Sequence, residues 1–507
     1  VLLRQIVETS AAVASTRSRR EKVELLAACI AGMDRDEVAF GAGFLAGEPR
    51  QRRLGAGWAS LRELPPPASD ATLTLVAVDA ALERIAGISG AGSQAERAGA
   101  VHELFVAATE PEQQFLRRLI LSDLRQGALQ SAVTDAVARA ASVAQSEARR
   151  ALMLLGDPGE LARIAVFDGI DGLRAVRLEV GRPVQPMLAG TAPDLASALA
   201  KIDPAALEWK LDGARIQAHR SGDQVSVFTR SLDEVTDRVP EVVEAVRALD
   251  AGSLVLDGEA IALQPDGRPH PFQVTGSRFG SRTAVDTLRR EIPLTPFIFD
   301  ILHADGEDLL DQPAEQRGRR LAAIVPESMR VPRMVAGSAE QAAAFQADTL
   351  ARGHEGVLVK SLDAPYAAGR RGAGWIKVKP RLTLDLVVLA AEWGHGRRQG
   401  WLSNLHLGAR GDDGSGFVML GKTFKGLTDA TLAWQTERLL ELETARHGIT
   451  VEVHPELVVE IAFDGLQRSS RYPGGVALRF ARVLRYRDDK RAAEADTLAG
   501  VLAVGGF

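Results

Sequence analysis

Along residues 1–180 the apolar positions recur at intervals of three and four. The stretch from Leu116 to Leu129, LRRLILSDLRQGAL, and the alanine-rich run that follows it through Ala151 are the clearest cases. With few β-branched clusters to oppose it, this spacing predicts helices almost throughout. Three consecutive prolines at 65 to 67 must break the pattern into a loop, and the turn-rich pairs Asp168-Gly169 and Asp171-Gly172 mark where it should end. After Gly181-Arg-Pro-Val-Gln-Pro-Met the period changes. Ala214 to Ala218, Val225 to Thr229, Leu254 to Leu256, Phe297 to Ile301 and Val357 to Val359 are short β-rich runs, separated by helical stretches such as Glu241 to Leu249. Beyond Pro380 the runs become shorter and closer: Asp385 to Leu389, Leu405 to Leu407, Phe417 to Leu420, Glu456 to Ala462 and Leu478 to Tyr486, with one helix from Leu427 to Leu442.

The expected architecture is therefore multidomain: an all-α segment over 1–180, an α/β segment over 181–382, and a β segment over 383–507. Five strands and one interrupting helix suit a small barrel of the OB type. Hydrophobic and charged contents of 46% and 25% are those of an average soluble protein. No apolar run has spanning length, and charge appears at Arg4 and Glu8 before a signal-like core could form, so a cytoplasmic protein without membrane contact is expected. The single cysteine, Cys29, excludes an intramolecular disulfide and a cysteine zinc site, and its apolar helical setting suits inert packing. The net charge of −5 gives no sign of a polyanionic partner. Local charge does: residues 1–180 are balanced, with 21 basic and 23 acidic, whereas Arg468 to Arg491 holds eight basic residues against Asp488 and Asp489. There the charges alternate with Phe480, Val483, Leu484 and Tyr486, as on a strand with one basic face. Arg117, Arg118 and Arg125 could meet phosphates or merely be solvated helix faces.

Lysine is scarce. The chain has 52 arginines and nine lysines, and five of the nine, Lys210, Lys360, Lys377, Lys379 and Lys490, fall in short motifs. An arginine cannot lose its proton at working pH, whereas a lysine amine can and then acts as a nucleophile. Lys210 lies in Glu208-Trp-Lys-Leu-Asp-Gly-Ala-Arg215. In order there follow Thr229-Arg230-Ser231, Asp257-Gly258-Glu259, Phe297-Ile-Phe299-Asp300, Glu355-Gly-Val-Leu-Val-Lys360 and Trp375-Ile-Lys377-Val-Lys379. Taken singly each is dull: Asp-Gly pairs mark turns, Phe299 suits a core, and Lys-Val-Lys suits an exposed strand. Together they place a nucleophile, two carboxylates able to hold Mg²⁺, and cations suited to a phosphate at strand ends of one segment.

This series resembles, in order and spacing, the covalent nucleotidyltransferase superfamily and within it the ATP-dependent DNA ligases, over roughly residues 180 to 491. Lys210-Leu-Asp-Gly213 is similar to the family's Lys-x-Asp-Gly motif. The resemblance implies an α/β nucleotidyltransferase domain of ATP-grasp-like type in which Lys210 attacks the α-phosphorus of ATP, releases pyrophosphate and carries AMP. It implies that Glu208 reads the adenine amino group, Phe299 stacks on the ring, and Arg215 and Glu259 contact the ribose. It further implies that Glu355, with Glu259, binds Mg²⁺ or Mn²⁺, that Lys377 and Lys379 hold the α-phosphate, and that Arg230 meets the 5′-phosphate of a nick. Arg371 is counted with the nucleotide contacts. The run Leu478-Arg-Phe-Ala-Arg482 to Arg487-Asp-Asp489-Lys490 is similar to the motif that orients the pyrophosphate, with Arg487, Asp489 and Lys490 as its polar members; Ala481 stands where a proline is common.

Gly416-Phe-Val-Met-Leu-Gly-Lys-Thr423 satisfies the P-loop pattern, but its four apolar middle residues read as a strand rather than a phosphate cradle, leaving Lys422 and Lys425 as candidate DNA-phosphate contacts. His303 and His354, nearest the motifs, have no zinc spacing and read as structural. The helical first segment is similar to the DNA-binding domain that many DNA ligases carry and that capping enzymes and many RNA ligases lack. A monomeric ATP-dependent ligase sealing 3′-hydroxyl, 5′-phosphate nicks in double-stranded DNA, in replication, repair or recombination, is thus expected. An RNA-joining or capping nucleotidyltransferase and a non-catalytic nucleic-acid-binding protein remain the alternatives.

Overall fold

The computed structural model describes every residue except 52, 53, 91, 125, 127–129, 282, 369–373, 415 and 505–507; Arg125 and Arg371 therefore lie outside the described residues. The chain forms two compact units, one of residues 1–270 and 274–378, the other of 379–507 with 271–273. No helix among the described residues is long and apolar enough to cross a membrane.

Among the described residues the helical region comprises α1 (Leu3–Ser15), α2 (Arg19–Ala31), α3 (Val38–Ala46), α4 (Leu75–Gly87), α5 (Ser93–Val106), α6 (Glu110–Ile120), α7 (Gln130–Ala140), α8 (Gln145–Leu155) and α9 (Pro158–Ala175). The helical pattern read from Leu116 is carried by α6, which starts six residues earlier and stops at Ile120. The reason is at its start: Thr109 and Glu112 form a capping box, with Glu112 accepting from the Thr109 backbone N–H at 2.9 Å, and Pro111 fits the first turn. α9 runs on through the expected terminating turns to Ala175, kinked where Gly169 takes φ 66°. A glycine enters that left-handed region without the penalty a side chain would bring, so the helix bends there and continues. Cys29 is half-buried, and burial raises its thiol above the usual range, which fits packing rather than reactivity.

The same unit holds two five-stranded sheets. The first has the order β1 (Gly190–Thr191), β10 (Trp375–Val378), β9 (Gly356–Ser361), β2 (Ala205–Lys210), β8 (Arg333–Val335). The second has the order β4 (Gln224–Thr229), β3 (Ala214–Ser221), β5 (Ser253–Ala262), β6 (Leu294–Ala304), β7 (Glu307–Asp308). A core of Ile216, Val227, Val242, Leu254, Leu256 and Ile301 joins the second sheet to the helix Pro240–Arg247. The helical region has no separate core, because Val255, Leu302, Tyr366 and Trp375 of the α/β region pack into it. Arg317 is 1% exposed, and its Nε and one Nη bind the carboxylate of Asp300 at 2.8 and 3.0 Å. Breaking a buried pair from one side leaves the other charge uncompensated. Arg317→Met should thus destabilise the first unit by about 3–5 kcal/mol, seen as a lower urea midpoint at unchanged slope; a shift below ~1 kcal/mol would contradict the pair's importance.

The second unit is richer in strands than its sequence suggests. It has β11 (Leu382–Trp393), β12 (Leu402–Arg410), β13 (Phe417–Thr423), β14 (Glu443–His447), β15 (Thr450–Val453), β16 (Val458–Phe463), β17 (Gly465–Arg468), β18 (Val476–Arg479) and β19 (Arg482–Tyr486). Five were expected. The hairpin β14–β15 was missed because β14 has no buried position and β15 is a four-residue strand with only Val451 and Val453 buried, and the single strand expected over Leu478 to Tyr486 is two, divided where Phe480 takes φ 54°. In β19 Val483 is buried while Arg482 and Arg485 are exposed, the one-sided basic strand the alternation predicts. Gly416 to Thr423 is mostly β13, so the P-loop pattern holds a strand and no cradle.

Candidate active site

The register of the first sheet brings the motifs together. Directly paired residues on neighbouring strands share a face, and alternate residues along a strand do too. Lys377 pairs with Leu358 and Leu358 with Glu208; Trp375 pairs with Lys360 and Lys360 with Ala206; Lys210 pairs with Gly356. Glu208, Lys210, Lys360, Trp375 and Lys377 therefore project from one face, although almost 170 residues separate the first from the last. Glu355, just ahead of β9, donates its backbone N–H to the Lys210 carbonyl at 3.1 Å, and its carboxylate forms an ion pair with the Lys210 amine.

Beyond Lys210 the chain must turn sharply into β3. A Cβ on Gly213 would lie 2.6 Å from the Ala260 carbonyl oxygen and 2.8 Å from Cγ of Glu259, so the approach admits only glycine. The Gly213 N–H donates to Glu259 at 3.2 Å. Burial raises the Glu259 carboxyl to about 7, against the opposing pull of Lys210 and Arg215. Arg215, opposite Glu259 in the β3–β5 register, spends Nε and Nη2 on Asp257 at 3.0 and 2.6 Å, and donates to the Met187 carbonyl at 2.7 Å. Burial works against its charge, but Asp257 prevails and holds it more firmly protonated than usual. Tyr366 donates to the same Asp257 at 2.6 Å. The Arg215 guanidinium also lies 5.3 Å from the Phe299 ring.

A cavity of about 270 Å³ opens beside Glu208 and is walled by Ile298, Phe299, Arg330, Val331 and Arg333. Arg333, on β8, pairs with Glu208 in register and places Nε 3.8 Å from its Oε1. Lys360, expected to face a phosphate, does not: it is 3% exposed and ion-paired to Glu208 at 2.5 Å, in the row that holds Trp375. Arg333 and Tyr366 were not anticipated. Arg333 lies in a three-residue edge strand with no motif about it, and Tyr366 in a loop; only pairing places them.

Arg230 is exposed at the end of β4 and lines a larger cleft of about 670 Å³ together with Arg50, Ser122, Gln130 and Asp157 of the helical region. His354 stacks on Trp209 at 4.4 Å and burial lowers its imidazole to about 4, while His303 Nδ1 donates to Asp308 at 2.8 Å. In the second unit Lys379 lies 3.4 Å from Asp464. There Arg487 and Lys490 converge on Asp385 at 2.8 and 2.6 Å, and Asp489 takes two further bonds from Arg487. Lys422 is ion-paired with Glu392, which also accepts from Asn404 and His406, so it belongs to a half-buried polar cluster. Lys425 instead lies 5.6 Å over the exposed Phe480 ring.

Three family models match the chain: "DNA ligase N terminus" over residues 59–138, "ATP dependent DNA ligase domain" over 186–379, and "ATP dependent DNA ligase C terminal region" over 398–490. A "Probable DNA ligase" of an Anaeromyxobacter species is 56% identical over 506 residues, covering 99% of this chain and 98% of that protein. Another "Probable DNA ligase", from a Nocardioides species, is 57% identical over 505 residues, with 98% of each chain covered. Among solved structures, one described as "Pmar-Lig_PreS3" superposes with a TM-score of 0.62 at 17% identity over 95% of this chain and 99% of that one.

Proposed function

This chain belongs to the family of ATP-dependent DNA ligases, and from that premise we propose that it seals nicks in duplex DNA through an AMP group carried on Lys210. The observation that supports this most is the common strand face, which sets Glu208 and Lys377 in one cross-strand row through Leu358 and Lys210 two residues further along β2 on the same face, with Glu355 in contact. The Lys210 nitrogen would form a bond to the α-phosphorus as the bond to the bridging oxygen breaks and pyrophosphate leaves. Glu355 is placed to hold the amine's proton as attack begins. The AMP then passes to a 5′-phosphate, and a 3′-hydroxyl displaces it to leave a phosphodiester.

Transfer of this kind depends on in-line placement and neutralised phosphate oxygens more than on covalent help. Lys377 would neutralise the α-phosphate, with Lys379 assisting. Glu208 would take the adenine amino group and Phe299 its face. Glu259, and Arg215 through its guanidinium edge, would border the ribose. Arg230 would meet the 5′-phosphate at its cleft, and Arg487, Asp489 and Lys490 would steer the pyrophosphate. The donor set suits Mg²⁺, a hard cation that takes one or two carboxylates with substrate phosphates, and Glu259 and Glu355 are the two that would hold it. When bound it would withdraw charge from the phosphate oxygens.

The finer reading of the second unit as an OB-type barrel rests on β11, which pairs with β12, β15 and β16 along a single bulged strand, as a curling sheet requires. We expect a monomer. In the test, a singly nicked duplex should be sealed at least tenfold faster than a nicked RNA duplex or single-stranded RNA ends are joined. Affinity for the nick should fall steeply with salt, because phosphate contacts release counterions. Preference for RNA ends would transfer the reading to an RNA-joining enzyme.

A further inference from the structure

Lys360 is a motif lysine that the transfer chemistry leaves without a task. It is as buried as Glu208, each 3% exposed. A lysine that deep is stable only against a matching charge. Its amine has one, at 2.5 Å from Glu208 Oε2, and it also sits over two rings, 4.5 Å from the centroid of Phe299 and 4.2 Å from that of Trp375, which themselves meet edge to face at 5.7 Å. It reaches the Phe299 carbonyl at 3.5 Å. The contact with Glu208 is an ion pair that lacks hydrogen-bond alignment: Oε2 is buried and accepts no hydrogen bond. The carboxylate's charge is compensated at Oε2, while Glu208 lines the cavity beside it and its other oxygen, Oε1, stands 3.8 Å from Arg333 Nε.

We propose that Lys360 is a positioning residue for selection of the base: it keeps Glu208 an acceptor-only carboxylate in the pocket and fixes the Phe299 face, so that a purine bearing an amino donor is taken and one bearing a carbonyl is refused. This deepens the reading of Glu208 as the group that recognises adenine and rests on it. An ionised carboxylate accepts and never donates, whereas a protonated one can donate. The six-position of adenine presents an amino donor and that of guanine a carbonyl acceptor. Opposite a carboxylate the first makes a bond and the second sets two acceptors against each other. Without Lys360 the buried Glu208 keeps Arg333, 3.8 Å from its other oxygen and more exposed, and the weaker field of Arg317. Its carboxylate would then turn toward Arg333, and the refusal of a carbonyl weakens.

The test measures covalent labelling of the full chain by α-labelled ATP and by α-labelled GTP, with Mg²⁺. Lys360→Met should lower kcat/KM for ATP by roughly 100-fold, mostly through KM, and reduce the ATP-to-GTP preference at least tenfold. Lys360→Gln, which keeps a polar head without the charge, should lose the preference likewise, and Lys360→Arg should retain most of it. In the Glu208→Gln background Lys360→Met should add less than about threefold, because the carboxylate it serves is gone. Equal slowing with both nucleotides at unchanged preference, in both Lys360→Met and Lys360→Gln, would overturn the proposal, as would full additivity with Glu208→Gln. If Glu208→Gln by itself leaves the preference untouched, the adenine reading of Glu208 fails instead, and the two failures are thereby told apart.

Discussion

Lys210→Ala protein incubated with α-labelled ATP and Mg²⁺, without DNA, should acquire no covalent label, a fall of about 10⁴- to 10⁶-fold, as expected when a nucleophile that works in concert with its neighbours is removed. Lys210→Arg should be equally inert, because a guanidinium cannot give up its proton to attack phosphorus. The wild-type adduct should be labile to acid, as a phosphorus–nitrogen bond is, and stable to alkali. Structure narrows where the label can go. Lys360 is sealed against Glu208 and two aromatic rings, whereas Lys210 is in contact with Glu355 and shares its strand face with Lys377. Label persisting in Lys210→Ala would mean another residue is the nucleophile. Both variants should nevertheless seal a nick already carrying AMP on its 5′-phosphate, though more slowly, since that last step no longer uses the amine as nucleophile; complete loss there would point to a damaged fold.

The motifs were legible because each combines a chemical group with a turn or a strand end, and such local pairings survive in one dimension. Lys210-Leu-Asp-Gly213 is the best example. Its glycine lies against the Ala260 carbonyl, so sequence spacing and backbone geometry are two views of one constraint. What the sequence did not disclose was cross-strand partnership. Lys360 reads as one more cation in a glycine-to-lysine motif, yet the β9–β2 pairing sets it opposite Ala206, diagonal to Glu208 on the same face. Arg215 shows the same limit, since its commitment to Asp257 depends on the β3–β5 pairing of residues 42 apart. Lys422, a candidate phosphate contact by its sequence, is ion-paired with Glu392 of β11, 30 residues earlier and on the far side of β12. At the level of fold, the helical and α/β segments were each visible from their period, but their shared core was not, because Tyr366 and Trp375 look like any other apolar positions until packing assigns them to neighbours.

The dependence of Lys210 on a distant strand gives the second large effect. Lys377→Ala should adenylylate itself about 10²- to 10³-fold more slowly although Lys210 is untouched, the loss expected when one preorganised donor to a developing charge is removed. Lys377 lies on β10, two strands from Lys210 across β9, and projects from the same face. Strand spacing puts about 10 Å between those backbones, a gap that a phosphate between two lysine side chains can fill. Because negative charge gathers on the phosphate oxygens as the pentacoordinate arrangement forms, most of the loss should fall on kcat and less than tenfold on KM for ATP. Lys377→Arg keeps the charge on a bulkier, planar head and should recover part of the rate without reaching wild type. The Ala variant should unfold at the wild-type urea midpoint within about 0.5 kcal/mol, since a half-buried strand-face lysine contributes little to packing. Normal adenylylation by Lys377→Ala would remove Lys377 from the phosphate and assign its neutralisation to another cation. A loss confined to KM would make it a ground-state contact, with no share in the attack by Lys210.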